Sequence, residues 1–536
     1  MGRQKGLIFI LLLIFSLFFV RICSGNRVGE ETWRPSFKVG YASQVAEEGV
    51  GKGSPKRDTL EWERPSRELI NTYDGFKIGI PEGWEAEILP GVATILTRPS
   101  LAKLSIFVQP LEKITAEEYI LYSNRSLQEG WATIKVREFK KLNIKGYPAW
   151  IWEWTRDKVA PGDLNYYREY HLLVSRTVYT FLLKTDAEHF REAVRYLTYI
   201  LQSWRPLPPT DNPTFPEPQR VEREVRIEGL HHRLIIPKDK TLWGILNPHK
   251  LGKLEYFRQL IPLEKKLGHK FEFLITYAAF DTRFDWGELR RLYDDGRILM
   301  VALQPWWYGK KNDTSLIELL KGKYDDILRE WARQFKTIGD PVFVRFGNEM
   351  NGDWSTWSAW FYGKDTDIFK MAWDYVYRIF KEEGATNVIF VFNPHDRSFP
   401  NFKWNHYLLY YPGDQTVDWI GLTGYNNGTS YPADLWREFD AIYGPLYKEY
   451  MYYFKDKPFI ITEFASNEVG GDKANWIRRA MESLATNYPN IKIAVWFNQI
   501  DGKWLYNLDS SPASFTAFAE GLKKEPYQFR AVWPRD

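Results

Sequence analysis

The carboxy-terminal portion of this 536-residue chain, about 310 residues, alternates eight short β-like runs with amphipathic helical stretches, and this alternation restricts the fold more than any other feature. The runs are Leu242–Leu246, Phe271–Thr276, Ile298–Leu303, Val342–Phe346, Val388–Phe392, Trp419–Leu422, Phe459–Thr462 and Lys492–Phe497. Helical patterns such as Tyr324–Lys336, Ile368–Glu383, Ala433–Tyr450 and Lys473–Asn487 separate them. Strand and helix in strict alternation imply a parallel sheet, since parallel neighbours need a crossover. Eight units, with no Gly-rich phosphate loop after the first strand, favour closure into a barrel over an open dinucleotide-binding sheet. The expected class is α/β, a C-terminal (β/α)8 TIM barrel preceded by a smaller α+β sandwich domain.

Two breaks divide the rest. Residues 26–63 are rich in Gly, Ser and charge without apolar periodicity and read as a linker. Residues 206–220 hold six prolines between Pro206 and Pro218, a stiff spacer that continues neither helix nor central strand. Between them, 64–205 carries strand-like pieces at Phe76–Ile80, Ala93–Thr97 and Leu104–Gln109, a helix from Ala116 to Glu129, a Trp-rich strand, a hairpin and a closing helix at Asp186–Trp204. Its phrases GFKIGIPEGW and VYTFLLKTD resemble the small α/β sandwiches related to PsbP and Mog1. Trp150, Trp152 and Trp154 share one face of their strand; buried packing is the favoured reading and a sugar platform the alternative. In residues 1–25, Arg3 and Lys5 precede the apolar run Leu7–Val20, which is shorter than the roughly 20 residues of a spanning helix. A cleaved signal peptide is expected, with a membrane anchor or a lipid on Cys23 as alternatives.

Composition narrows the chemistry. Cys23 is the single cysteine, so neither an intramolecular disulfide nor a thiolate zinc site can form. The formal charge is +4, and the leader's Arg3, Lys5 and Arg21 account for three of those charges, leaving the body at +1. A body that close to neutral has no general field for nucleic acid. The 24 Trp, 32 Tyr and 34 Phe suit stacking on neutral polar ligands.

In a (β/α)8 barrel the chemistry sits where strands end. Arg345 stands close to the end of strand four, with Asn348 and Glu349 after it, followed by Trp354 and Trp357; Glu463 follows strand seven. Two carboxyls facing one another across a barrel mouth suit a retaining glycosidase, with one as acid/base and one as nucleophile. Tyr425 after strand six can donate to the nucleophile, and Trp496 at the end of strand eight can floor a sugar site.

The motifs RFGNEMNGDWSTW, FIITEFAS, VDWIGLTGYN and IAVWFNQ resemble glycoside hydrolase family 26, which contains endo-β-mannanases with some mixed-linkage β-glucanases and β-1,3-xylanases. The resemblance covers residues 240–520. It implies Glu349 as acid/base, Glu463 as nucleophile, Arg345 and Tyr425 as supports of the nucleophile, and Trp496 under the bond that breaks. Two departures bear on substrate. Asn348 stands where the mannanases usually place His, as in the wider clan of retaining barrel hydrolases, in which that Asn touches the sugar 2-hydroxyl, and strand three ends Gln304-Pro305-Trp306-Trp307 with no His.

The expected protein is a secreted, monomeric endo-1,4-β-mannanase without cofactor or metal. A β-1,3-1,4-glucanase and a non-catalytic carbohydrate-binding protein of the cell surface are the alternatives. Its partner is polysaccharide, and contact with a membrane is limited to the N-terminal segment. Trp306, Trp307 and Trp357 are either sugar platforms or packing, Asp396 and Asn426 are further candidates for the cleft, and His231-His232 reads as a surface turn.

Overall fold

The computed structural model describes residues 67–246, 255–307 and 314–535; the expected leader 1–25 with Cys23, and the linker 26–63, lie outside the described residues. Eight parallel strands close into the expected barrel: Leu242–Leu246, Phe273–Ala279, Ile298–Gln304, Val342–Phe346, Val388–Phe392, Trp419–Asn426, Phe459–Ser466 and Ile491–Phe497. Closure is direct, with strand one pairing strand eight from Leu242 opposite Ile493 to Leu246 opposite Phe497. The helices outside follow their apolar period. In Asp325–Ile338, the buried residues Ile327, Leu328, Trp331, Ala332, Phe335 and Ile338 form one stripe, acids occupy the first turn, and Gly339 ends the helix in a left-handed conformation.

Strands six and seven run about four residues past their apolar segments, to Asn426 and Ser466. Tyr425 and Glu463 therefore sit on rigid strand backbone, although the sequence pattern places them after the strands. The expected helix Ala433–Tyr450 begins only at Phe439 and runs to Phe454. Residues 427–438 instead form an extended loop, fixed where the Asn426 side chain accepts from the Arg437 backbone N–H.

The smaller domain is a seven-stranded antiparallel sheet in the order Glu85–Leu89, Ala93–Arg98, Ala102–Pro110, Thr177–Thr185, Tyr166–Val174, Tyr147–Thr155, Lys135–Ile144. Strand alternation gives it two buried faces. Ala149, Ile151, Leu104 and Phe181 pack under the helix Phe190–Ser203 and Trp204, while Trp152, Trp154, Tyr167 and Phe107 belong to the apolar cluster that continues into the barrel. The Trp-rich strand is therefore packing, and what it packs is the domain interface. Trp154 lies flat on Tyr167 at 5.0 Å, and the Lys364 ammonium of the barrel stands 5.6 Å from the indole. The Pro-rich segment is held at both ends, by Leu207 N–H on Gly75 O and by Phe215 against Tyr452 and Tyr453.

Buried ions cross this interface. Asp365 of the barrel receives Arg156 at 3.1 Å, Tyr167 at 2.6 Å and Lys184 at 2.9 Å. Burial alone works against the charged Asp365, but Lys184 and Arg156 outweigh it and hold the carboxyl below its usual pKa. Removing one partner from such a cluster leaves uncompensated buried charge. Asp365→Ala is expected to lower unfolding stability by about 3–5 kcal/mol in denaturant titration. Asp157→Ala, which breaks the exposed pair with Lys321 at the rim of the interface, should cost less than about 1 kcal/mol.

Candidate active site

Glu463 is the centre of the barrel mouth. Register with strand six passes from Leu422 opposite Ile461 to Thr423 opposite Glu463, so strand seven carries one extra residue, Thr462, in a bulge. A bulge of this kind re-aims the side chain beside it. Thr462 itself turns its hydroxyl to Asn393 Oδ1 and Thr423. The Glu463 carboxylate accepts from three donors on three other strands: Tyr277 of strand two and Arg345 of strand four on Oε1, and Tyr425 of strand six on Oε2. Arg345 is fully buried and Glu463 nearly so. Burial and the adjacent carboxylate push both phenols well above the usual value, so each remains a protonated donor. For Arg345, burial opposes the charge, but Glu463 overrides it and the guanidinium stays charged.

Glu349 is presented differently. The chain leaves strand four through Gly347 and Glu349, both with positive φ, at 56° and 54°. A Cβ on residue 347 would stand 2.7 Å from the Phe369 ring, so only glycine fits there. A non-glycine residue in the left-handed region costs on the order of 1–3 kcal/mol and persists where surroundings impose it. Here the Glu349 N–H is fixed to Asn393 O at 2.8 Å. Among the described residues the side chain has one weak hydrogen-bond partner, the Trp354 indole N–H at 3.4 Å. Burial raises its pKa, and nearby Glu463 adds to the rise while His395, Arg345 and the indole oppose it. The site thus pairs a carboxylate held through both oxygens with a carboxyl whose pKa is raised by burial.

Both acids line one cleft of about 220 Å³, together with Trp354, His395, Asp396, Phe399, Phe497, Trp504 and Tyr506 among others. Of the expected residues, Glu349, Glu463, Tyr425 and Trp354 line this cleft and Arg345 lies directly beneath it. Asn348 is nearly buried, with its side-chain oxygen 3.4 Å from Gln304 Nε2. Asp396 lies in the cleft wall, paired with Arg437 from the extended loop.

The expectation for Trp496 is corrected. It is 1% exposed, donates its N–H to Tyr506 O, and packs on Phe464 and Phe518 in the layer between strands and helices. Successive strand residues face opposite sides, so its neighbour Phe497 enters the cleft. The aromatic surface there is a wall in which Tyr425 stacks on Tyr506 at 5.1 Å and Tyr506 on Trp504 at 6.0 Å. Trp504 belongs to a small hairpin, Ile500–Asp501 with Trp504–Leu505. Asn426 is also corrected: it is fully buried and bonds Ser466 and the 428 and 437 backbone. Trp357 is buried and donates to Asn348 O; Trp306 packs edge-on to it, and Trp306 and Trp307 lie outside the cleft lining. His231-His232 turn at the other end of the molecule, both N–H groups on Asp340.

Sequence reasoning missed Tyr277, Arg437 and the 500–506 hairpin. Tyr277 had a signal, as a hydroxyl one residue beyond an apolar strand. Arg437 had none, being masked by a helix-like pattern.

Residues 310–452 match the family model Glycosyl hydrolase family 26, a stretch that includes Arg345, Glu349 and Tyr425. The chain is 32% identical over 260 residues to Endoglucanase H of Acetivibrio thermocellus, covering 48% of this chain and 28% of that protein. It is 26% identical over 187 residues to Mannan endo-1,4-beta-mannosidase A and B of Caldalkalibacillus mannanilyticus, covering 33% and 31%. The chain thus spans under a third of the length of these curated relatives. Among solved structures, a GH26 beta-mannanase from Bacteroides ovatus aligns over 55% of this chain and 92% of that one at 16% identity and a TM-score of 0.41. The family-26 resemblance of the barrel motifs stands.

The corrected geometry separates two tryptophans experimentally. Trp496→Phe is expected to cost about 1–3 kcal/mol of stability and to leave oligosaccharide affinity unchanged by calorimetry, whereas Trp504→Ala should weaken affinity with little change in melting temperature.

Proposed function

We propose that this chain, with its family-26 barrel, is an endo-acting β-glycanase that cleaves polysaccharide with retention of anomeric configuration. The observation that carries the reading is the asymmetry of two carboxyls lining one cleft: Glu463 is gripped by Arg345, Tyr277 and Tyr425, while Glu349 is desolvated, nearly unpartnered and raised in pKa. Glu349 protonates the glycosidic oxygen as Glu463 attacks the anomeric carbon, giving a glycosyl-enzyme and releasing the first product. Glu349, now ionised, takes a proton from water, and the hydroxide displaces Glu463 at the same carbon. Two inversions restore the configuration. The Tyr425–Tyr506–Trp504 wall offers aromatic faces to pyranose rings. The leader 1–25 supports an extracytoplasmic place of action, where such polymers are met.

The substrate proposed first is β-1,4-mannan. Asn348, together with the closer identity to a relative named an endoglucanase, supports a second reading, a mixed-linkage β-glucan.

Sized products from galactomannan, glucomannan, lichenan and β-1,3-xylan discriminate these substrates, and proton NMR of the first-formed reducing ends should show the β anomer. Glu349→Gln and Glu463→Ala should each lower kcat by at least about 10²-fold; activity near wild type in either sinks the assignment. The pH profile has a definite sign. Glu349 must be protonated to act, so kcat/KM falls as pH rises through its raised pKa. Trp354→Phe removes a bond that favours the carboxylate, so its basic limb should move to higher pH.

A further inference from the structure

The smaller domain does not merely sit beside the barrel. The helical segment Ala116–Ser123 and Arg125–Glu129 enters between the loops that follow strands four and five, and these two loops carry Glu349, Trp354, His395 and Phe399. Toward the first loop, Tyr122 O accepts from Trp360 Nε1, Ser126 Oγ accepts from Gly363 N–H, and Tyr122 stacks on Trp360 at 5.5 Å. Toward the second, Ser123 Oγ accepts from Trp404 Nε1, and Phe402 meets Tyr119 and Tyr122 edge-on.

One contact reaches further. The Tyr122 hydroxyl donates to Asp353 Oδ2 at 2.6 Å. Asp353 is adjacent in the chain to Trp354, whose indole N–H is the hydrogen bond to Glu349 and whose ring lies 5.4 Å from His395 and 5.2 Å from Phe399. From the opposite side the same loop is pinned by Asn351, which accepts from His395 N–H and donates to His395 O. The loop bearing the acid is therefore held between a barrel anchor and a small-domain anchor.

We infer that Tyr122 of the smaller domain is a positioning residue for the reaction, fixing Asp353 and through it the Trp354 indole against the Glu349 carboxyl. The inference rests on the proposed hydrolytic reading of the same site. Tyr122 touches neither the cleft nor the reacting atoms, and it acts on the acid only through its neighbours. Glu349 is also faced by His395, Glu463 and Arg345, all from the barrel; of these surroundings the Trp354 bond stands next in the chain to the Tyr122–Asp353 contact. A shift of about 1 Å in a catalytic constellation can cost on the order of 10²-fold.

The test uses the full chain. Tyr122→Phe keeps the ring stack on Trp360 and deletes only the hydroxyl. It is expected to lower kcat about 5- to 50-fold, to move the basic limb of kcat/KM to higher pH as Trp354→Phe does, and to leave the melting temperature within a few degrees of wild type. Asp353→Ala should reproduce this behaviour, and Asp353→Asn, which retains an acceptor for the hydroxyl, should keep most of the activity. Asp157→Ala, at the rim of the same interface, serves as control and should match wild type. A Tyr122→Phe profile identical to wild type overturns the inference. So does a fall in kcat that tracks a fall in melting temperature while the basic limb stays in place. If wild type hydrolyses none of the polysaccharides, the functional reading fails and this inference with it, an outcome distinct from an active wild type with an indifferent Tyr122→Phe.

Discussion

A fully buried guanidinium under a nearly buried carboxylate is the constraint on which the barrel mouth is built. Taking Arg345 and Glu463 out of water costs several kcal/mol per ion unless geometry and further hydrogen bonds compensate. For Glu463 that compensation comes from Arg345, Tyr277 and Tyr425, so strands two, four and six all deliver a donor to one side chain of strand seven, while Arg345 Nε and Nη1 stay buried with no hydrogen-bond partner among the described residues. That convergence is possible only if the sheet closes, because in an open sheet residues from strands two and six lie far apart. It also needs the bulge at Thr462, which turns the carboxylate inward at the right height. Barrel closure, the bulge and the lengthened ends of strands six and seven are one solution to the burial of one charge.

The two acids embody opposite uses of low dielectric. Around Glu463 the protein supplies donors. Around Glu349 the described residues offer one long bond from Trp354 and a backbone conformation that glycine alone adopts easily. The second arrangement is the less stable of the two, since strain and a poorly solvated carboxyl both weigh against it. Its persistence needs an outside frame, and the buried Asp365 cluster with Arg156, Tyr167 and Lys184 at the end of the same loop provides one. The smaller domain is thereby coupled to the half of the site that most needs holding.

Legibility in the sequence followed the strength of the periodic signal. The eight barrel strands were readable to within a few residues because their runs are predominantly apolar, and Glu349, Glu463, Arg345 and Tyr425 were readable because each stands at, or within three residues of, the end of such a run. Errors arose where one residue of register decides everything. Trp496 and Phe497 are both aromatic and adjacent, and only the observed pleat says that Phe497 faces the cleft and Trp496 the helices. Arg437 lies in a segment of helical composition that tertiary bonds, from its backbone N–H to Asn426 Oδ1 and from its guanidinium to Asp396, hold extended. The interface role of Trp152 and Trp154 was invisible for another reason, since alternation marks a buried face and not what covers it.

The wall formed by Tyr425, Tyr506 and Trp504 draws these strands of argument together. Tyr425 serves the buried charge through its hydroxyl and the wall through its ring, so the support of Glu463 and the aromatic surface open to the cleft are not independent. Its edge-on neighbour Phe497 and its stacked neighbour Tyr506, which donates to Asn427, fix the ring plane. A substitution that loosens the hairpin at 500–505 therefore acts in two places: on the aromatic face directly, and on Glu463 through the tilt of the Tyr425 ring. Specificity and reactivity in this cleft share a side chain, which restricts how far the loop after strand eight can vary without altering the acceptor geometry beneath it.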